Sequence, residues 1–147
     1  TNDAPSSLTR LHDLGVQPFL TAATILGVLA QRLVRQLCPH CKKKTHINED
    51  EWEHLTFDYI MEMPETVYQA VGCEECRHTG YKGRVGIYEF MPVSLELKHL
   101  ISSHVTLNDL RTQTKKEGIE PLRIAGARKV IEGLTTLEEV LRLVPLN

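Results

Sequence analysis

The chain has 147 residues, of which 41% are hydrophobic and 24% are charged, and its formal net charge is −2. This composition is typical of one folded domain or a few small units, and it excludes a disordered polypeptide. A net charge so close to zero favours neither nucleic acid nor an anionic membrane as the partner of the whole chain.

The first part of the chain is predicted to contain two helices and a strand. A short helix is expected over residues 5–15, where serines stand near the start and Gly15 can end it. Pro18 suits the first turn of a second helix. One side of that helix would carry Phe19, Ala22, Ala23, Leu26 and Ala30. We expect a strand over about residues 31–37 that leads into Cys38.

No segment of the sequence predicts membrane insertion or secretion. The most apolar run, residues 19–30, is too short to span about 30 Å of hydrocarbon. Residues 1–10 lack the basic start and apolar core of a signal peptide. We therefore expect a cytosolic protein with reduced thiols, and, because it begins with Thr1, part of a longer protein.

The middle of the chain, residues 38–76, has too little apolar periodicity for a core of its own, so something other than burial must hold it. The β-rich runs at 66–71 and 84–90 flank the second cysteine pair and predict that this pair lies at the tip of a two-stranded ribbon. Acidic pairs here and near the C-terminus are expected to face solvent: Glu74 with Glu75, and Glu138 with Glu139.

Four amphipathic helices are predicted after Pro92 from apolar stripes of helical spacing. The stripes are Leu97, Leu100 and Ile101; Leu107, Leu110 and Thr114; Ile124, Ala127, Ile131 and Leu134; and Leu137, Val140, Leu141 and Val144. Thr136 and Glu139 have the spacing of a capping box at the start of the last helix. Because helices this short cannot bury a stripe alone, we expect them to pack on one another and on the earlier segment.

The cysteines form two C-x2-C pairs separated by thirty-one residues, and they are all the cysteines of the chain: Cys38, Cys41, Cys73 and Cys76. Each pair can present two sulfurs from one tight turn, and two such turns complete a tetrahedral zinc site. With four protein ligands the site is closed, so zinc would be structural. A thiol redox pair and unrelated buried cysteines are the alternatives, and His40 or His78 could replace a cysteine ligand.

A basic run at residues 32–44 contains Arg32, Arg35 and Lys42 to Lys44 without an acid. It is expected to be a solvated face or to offset the charge of metal-bound thiolates. It could instead neutralise phosphates in a zinc-ribbon nucleic-acid-binding module. Four acids at 49–53 and the scarcity of aromatic residues argue against that alternative. No phosphate loop or catalytic motif is present.

Four strings resemble, in order, the C-terminal part of the hexameric ATPases of bacterial type II secretion and type IV pilus assembly. They are TNDAPSSLTRLHDLGVQPFL, LAQRLVRQLCPHCK, GCEECRHTGYKGRVGIYEFM and GLTTLEEVLR. The resemblance implies an α/β fold with three parts. These are the C-terminal end of a RecA-like core over 1–37, a tetracysteine zinc-binding subdomain over 38–77, and a strand with a small C-terminal helical bundle over 78–147.

The resemblance also implies a function. The parent would be a cytoplasmic ATPase, peripheral to the inner membrane, that powers type II secretion or, alternatively, type IV pilus assembly. Its ATP and Mg²⁺ sites would lie upstream, so this chain should not hydrolyse ATP alone. The four cysteines match the family's zinc ligands, and Arg84 matches an arginine near the nucleotide, although it could equally be a solvent-facing strand residue. Expected partners are inner-membrane platform and accessory proteins and the other subunits of a homohexameric ring, without direct nucleic acid.

Overall fold

The computed structural model describes residues 3–144; Thr1, Asn2 and residues 145–147, which include the outer ends of the predicted first and last segments, lie outside the described residues. The fold is mixed α/β. The elements in order are α1 (Ala4–Asp13), α2 (Pro18–Thr24), β1 (Gly27–Leu37), β2 (Lys43–His46), α3 (Glu49–Leu55), β3 (Thr66–Gln69), β4 (Tyr81–Pro92), α4 (Leu95–Ser102), α5 (Leu107–Lys116), α6 (Leu122–Ile131) and α7 (Leu137–Leu143). A short 3-10 helix, Glu74–Cys76, precedes β4.

The chain divides into two compact units at Ala30, Ile87 and Pro121. The first and third stretches form the first unit, and the second and fourth stretches form the second unit. Over residues 3–144, no helix has both the length and the apolar character needed to cross a bilayer.

The strands form two pairs, β1 with β4 and β2 with β3. The β2–β3 pair is antiparallel, with Lys43 opposite Gln69 and His46 opposite Thr66. The prediction that the runs at 66–71 and 84–90 pair with each other is therefore wrong. Each pair joins a strand next to the first cysteine turn with a strand next to the second, because the two turns lie side by side.

The first unit has a core built from both of its stretches: Ala4, Leu8, Ala22, Met91, Leu97, Ile101 and Leu110. Asp3 caps α1 by accepting a hydrogen bond from the amide of Ser6 at 2.9 Å. Helix α2 ends at Thr24, and β1 already begins at Gly27, so the predicted extension of this helix through Ala30 is wrong. Gly27 suits a strand here because the ring of Phe90 lies against it, 3.0 Å from where a Cβ would stand.

The second unit contains a helix, α3, that the sequence analysis did not predict. Asn48 caps it by accepting from the amide of Glu51 at 3.1 Å, and Trp52 and Leu55 are buried on its inner side. Helix α3 packs against α6 and α7. The middle of the chain is therefore held partly by a core shared with the C-terminal helices, which also buries Val34, Leu37, Val67, Leu122, Ile124, Ala127, Val130, Leu137 and Val140.

All four predicted C-terminal helices form, and they do so as two pairs. Helices α4 and α5 pack together in the first unit, and α6 and α7 pack together in the second. Ile131, expected in the buried stripe of α6, is exposed. Close approach of α6 to α7 depends on Gly126, because a Cβ there would stand 2.5 Å from Cγ1 of Val140.

Candidate metal centre

The sulfur atoms of the four cysteines lie within 4.8 Å of one another. The distance is 3.8 Å for the pairs Cys38–Cys73, Cys41–Cys76 and Cys73–Cys76. Four sulfurs bound to tetrahedral zinc at about 2.3 Å would be separated by about 3.8 Å. The cluster therefore has the size and donor set of a four-coordinate site for a metal such as zinc.

The first cysteine turn connects β1 to β2. Cys38 follows β1 directly and is buried. Its carbonyl accepts a hydrogen bond from the amide of Lys42 at 3.1 Å, which closes the turn that carries Cys41. Its own amide donates to the carbonyl of Gly80 at 3.0 Å. This last bond ties the first cysteine turn to the residues that follow the second.

The second cysteine turn is built around the short 3-10 helix, with Cys73 in extended conformation just before it. The amide of His78 donates to the carbonyl of Cys73 at 2.8 Å. Gly80 then has φ +83°, and a Cβ at this position would stand 2.6 Å from Cβ of Ala70. Only glycine satisfies both the left-handed backbone and the close approach at this position.

Backbone amides point at two of the sulfurs. The amide of Gly72 donates to Sγ of Cys41 at 3.3 Å, and the amides of Cys73 and Gly80 each donate to Sγ of Cys76 at 3.2 Å. Burial raises the pKa of Cys76, but these two amides outweigh it and lower the pKa to about 6. Burial raises the pKa of Cys73 to about 11. Amides directed at sulfur favour the thiolate, which is the form that binds metal.

The other residues predicted for the site lie apart from it. His40 and His78 are exposed, and neither belongs to the cysteine cluster. Arg84 lies in β4 with an exposed side chain and also stands outside the cluster. Its assignment to nucleotide remains a prediction.

A buried carboxylate in the second unit is a feature that the sequence analysis missed. Glu139 is 1% exposed, so the prediction that it faces solvent is wrong. It accepts hydrogen bonds from Nη2 of Arg35 at 2.9 Å and from Nη2 of Arg142 at 2.8 Å. Burial raises the pKa of Glu139, but the hydrogen bonds from these arginines outweigh it, so the pKa is lowered. The other acids expected to face solvent are exposed: Glu74, Glu75 and Glu138.

Glu139 also explains why the predicted capping box forms only in part. Thr136 Oγ1 accepts from the amide of Glu139 at 3.1 Å. The carboxylate instead reaches Arg35, whose guanidinium lies 4.1 Å from the centre of the Tyr81 ring. The Tyr81 hydroxyl is 2.8 Å from the hydroxyl of Thr136. Strand β1, strand β4 and the start of α7 therefore share one polar cluster.

Two cations of the basic run have structural partners. Besides Arg35, Lys42 donates from Nζ to the carbonyl of Gly133 at 2.9 Å and lies 4.4 Å from the centre of the Tyr68 ring. Lys43 and Lys44 are exposed on β2. The run is therefore only in part the solvated face that the sequence predicted.

The fold and the site define a class: a mixed α/β protein with a compact four-thiol centre at the junction of two strand pairs. A family model for type II/IV secretion system proteins matches residues 1–142. The chain belongs to this family, which confirms the resemblance inferred from its four strings.

Three relatives illustrate the family. The chain is 70% identical over all of its 147 residues to the type IV pilus assembly ATPase TfpB of Acinetobacter baylyi, covering 25% of that protein. Over 143 residues, 97% of the chain, it is 43% identical to type II secretion system protein E of Pseudomonas aeruginosa, covering 28% of it. Over 141 residues, 96% of the chain, it is 39% identical to the type IV pilus assembly ATPase PilB of Thermus thermophilus, covering 16% of it. The chain spans about a quarter or less of these relatives.

Proposed function

We propose that this chain is the zinc-binding C-terminal region of a cytoplasmic ATPase that powers a type IV pilus or type II secretion machine at the inner membrane. The observation that carries the proposal is the four-sulfur cluster, with its 3.8 Å separations, in a chain of this family. Cys38, Cys41, Cys73 and Cys76 would hold one zinc ion. The ion would be structural, because four protein ligands leave no position for water or substrate.

The role proposed for this region is mechanical. ATP hydrolysis with Mg²⁺ in an upstream core would change the orientation of subunits in a homohexameric ring. The region would pass that movement to platform and accessory proteins of the inner membrane. The two cysteine turns and the Glu139 cluster support this role, because they cross-link β1, β4 and α7 of the second unit into one stiff body.

Identity favours pilus assembly as the particular machine. The relative that assembles pili is 70% identical across the whole chain, whereas the type II secretion protein is 43% identical. The sequence analysis placed secretion first and pilus assembly second. Both machines belong to one family, so the residues of the metal centre do not discriminate between them.

The finer assignments belong to the same proposal. Residues 1–37 would complete a RecA-like core, residues 38–77 would form the zinc-binding subdomain, and residues 78–147 would form the strand and helical subdomain. Arg84 would approach the nucleotide of the assembled enzyme, which its exposed side chain permits. Nucleic acid is not a proposed ligand, since Arg35 and Lys42 are engaged with Glu139 and Gly133.

Deletion and complementation of the parent gene test the proposal. Surface pili and type II secretion are scored separately in the deletion strain, and the full-length protein is then restored with or without Cys38→Ser and Cys41→Ser. We expect loss of pili, rescue by the unaltered protein, and failure of the cysteine variant. Loss of secretion alone would assign the secretion machine. Normal pili and normal secretion in the deletion strain would refute the proposed function.

A further inference from the structure

Residues 45–76, here called the acidic stretch, differ in charge from the rest of the chain. They contain no lysine or arginine and nine acidic residues: Glu49, Asp50, Glu51, Glu53, Asp58, Glu62, Glu65, Glu74 and Glu75. All 17 Lys and Arg residues of the chain therefore lie elsewhere, together with ten acids. The formal charge is −9 for the acidic stretch and +7 for the remainder. The near-neutral total hides a strongly polarised chain.

An apolar segment, residues 56–65, lies exposed within the acidic stretch and has no helix or strand. Phe57 is 72% exposed, Ile60 is fully exposed and Met63 is 36% exposed. Single exposed apolar side chains are ordinary, but three within seven residues form a patch of the kind that marks an interaction surface. Its surroundings are negative, because Glu62 and Glu65 are exposed beside it.

The base of this apolar segment is fixed to the second unit. Leu55, just before it, is fully buried, and its carbonyl accepts a hydrogen bond from Nη1 of Arg123 at 2.8 Å. The same guanidinium lies 5.1 Å from the centre of the Tyr59 ring. The amide of Tyr59 donates to the carbonyl of Thr56 at 3.0 Å. A segment held in this way loses little conformational entropy when it binds, which favours recognition of a partner.

The charge of the stretch selects the partner. Nucleic acid and anionic lipid surfaces would be repelled by a formal charge of −9. A cationic protein surface would be attracted, and an apolar recess in it could take Phe57 and Ile60. Integral membrane proteins offer such surfaces because their cytoplasmic loops carry an excess of Lys and Arg.

We propose that residues 56–65 dock onto the Lys- and Arg-rich cytoplasmic side of an integral membrane protein of the same machine. This inference rests on the proposed function, which brings the parent protein to the inner membrane. Ile60 would supply apolar contact at the centre of the interface, and Glu62 and Glu65 would pair with the cations around it.

Binding to nanodiscs tests the docking surface. Full-length parent protein is titrated against phosphatidylcholine nanodiscs that carry the polytopic platform protein of the machine. Empty discs of phosphatidylcholine and of phosphatidylglycerol serve as membrane controls. The test variants are Ile60→Ser and Glu62→Lys. Matched controls outside the stretch are Leu95→Ser, at a position 66% exposed, and Asp13→Lys, at an exposed position. Melting curves exclude variants that fail to fold.

Ile60→Ser should weaken binding to platform discs about tenfold or more, because burying an isoleucine is worth one to two decades of affinity. Glu62→Lys should also weaken it and should reduce the loss of affinity between about 50 and 500 mM salt. Both controls should bind like the parent. The proposal is overturned if the test variants bind as the parent does, or if empty phosphatidylglycerol discs bind equally well.

Two further outcomes separate this inference from the function on which it rests. If Ile60→Ser lowers self-association and leaves disc binding unchanged, the segment contacts a second copy and the proposal is wrong. If the parent fails to bind platform discs while its deletion abolishes pili, the proposed function stands and the docking partner is wrong. If deletion leaves pili and secretion intact, the proposed function fails instead.

Discussion

Arg35 and Glu139, 104 residues apart in the chain, form an ion pair with Nη2 and Oε2 at 2.9 Å. The carboxylate is 1% exposed and also accepts from the backbone amide of Arg35 at 3.2 Å. The pair joins the end of β1 to the first turn of α7, so its loss should loosen the second unit.

Glu139→Gln should lower the free energy of unfolding by about 1–3 kcal/mol, because an amide keeps the shape but turns an NH2 group toward arginine donors. Both arginines can return to solvent, which limits the cost. Urea unfolding at neutral pH measures the change. Glu138→Gln, at an exposed position of the same turn, is the control and should shift stability by less than about 0.5 kcal/mol. An equal effect of the two substitutions would contradict a special role for Glu139.

Stability should also depend on pH through Glu139. Its pKa in the folded protein is lowered, so its contribution is complete above the unfolded pKa of about 4.3. The contribution is lost as the pH falls through the folded pKa. Because acid also protonates the thiolates, the measurement compares the parent with Glu139→Gln at each pH from about 6 to 3. The difference in their unfolding free energies should shrink on acidification; a constant difference would rule out this ionisation as the cause.

Gly80 should be far less replaceable than Gly83, although both have a left-handed backbone, with φ +83° and +81°. A Cβ at Gly80 would stand 2.6 Å from Cβ of Ala70, whereas a Cβ at Gly83 would have nothing within 4 Å. Gly83→Ala should cost about 1 kcal/mol of backbone strain. Gly80→Ala should cost at least about 1 kcal/mol more and should weaken metal binding, because its amide donates to Cys76. Unfolding and zinc-competition titrations of the two variants provide the test.

The sequence predicts local features of this protein better than long-range ones. Two C-x2-C pairs gave the clustered thiols, and apolar stripes with caps gave the four C-terminal helices, because both signals lie within a few residues. Strand pairing was mispredicted because β2 and β3 are only four residues long and their partners are set by the meeting of two distant turns. Helix α3 was missed although Asn48 is a good N-cap and Trp52 and Leu55 are three apart. Its seven residues carry four acids that obscure the pattern.

The buried Glu139 shows the same limit in another form. Nothing local distinguishes it from Glu138, since both lie in the first turn of α7 after a threonine cap. Its burial depends on Arg35, which is distant in sequence and belongs to another strand. A capping-box spacing therefore predicted the start of the helix correctly and the destination of the carboxylate wrongly.

Removal of metal should destabilise the chain, and only the four cysteines should be needed to bind it. The purified protein should contain one zinc ion per chain. With free zinc about 1,000-fold above the dissociation constant, binding contributes about 4 kcal/mol, so a strong chelator should lower the melting temperature markedly. Cys76→Ser should lose the ion, whereas His40→Ala and His78→Ala should keep it. Elemental analysis with melting curves measures both effects. Zinc loss in either histidine variant would show that the ligand set is not cysteine alone.

Gly126 and Val140 should be energetically coupled, because a Cβ on Gly126 would stand 2.5 Å from Cγ1 of Val140, which is fully buried. In an open helix, glycine to alanine gains up to about 1 kcal/mol. Here Gly126→Ala should instead cost about 1–3 kcal/mol, since α6 and α7 must move apart. In a Val140→Ala background the clash is removed, and the same substitution should become neutral or stabilising. A double-mutant cycle by urea unfolding should give a coupling of at least about 1 kcal/mol. Additive effects would mean that the helices separate without cost and that their close packing contributes little to the second unit.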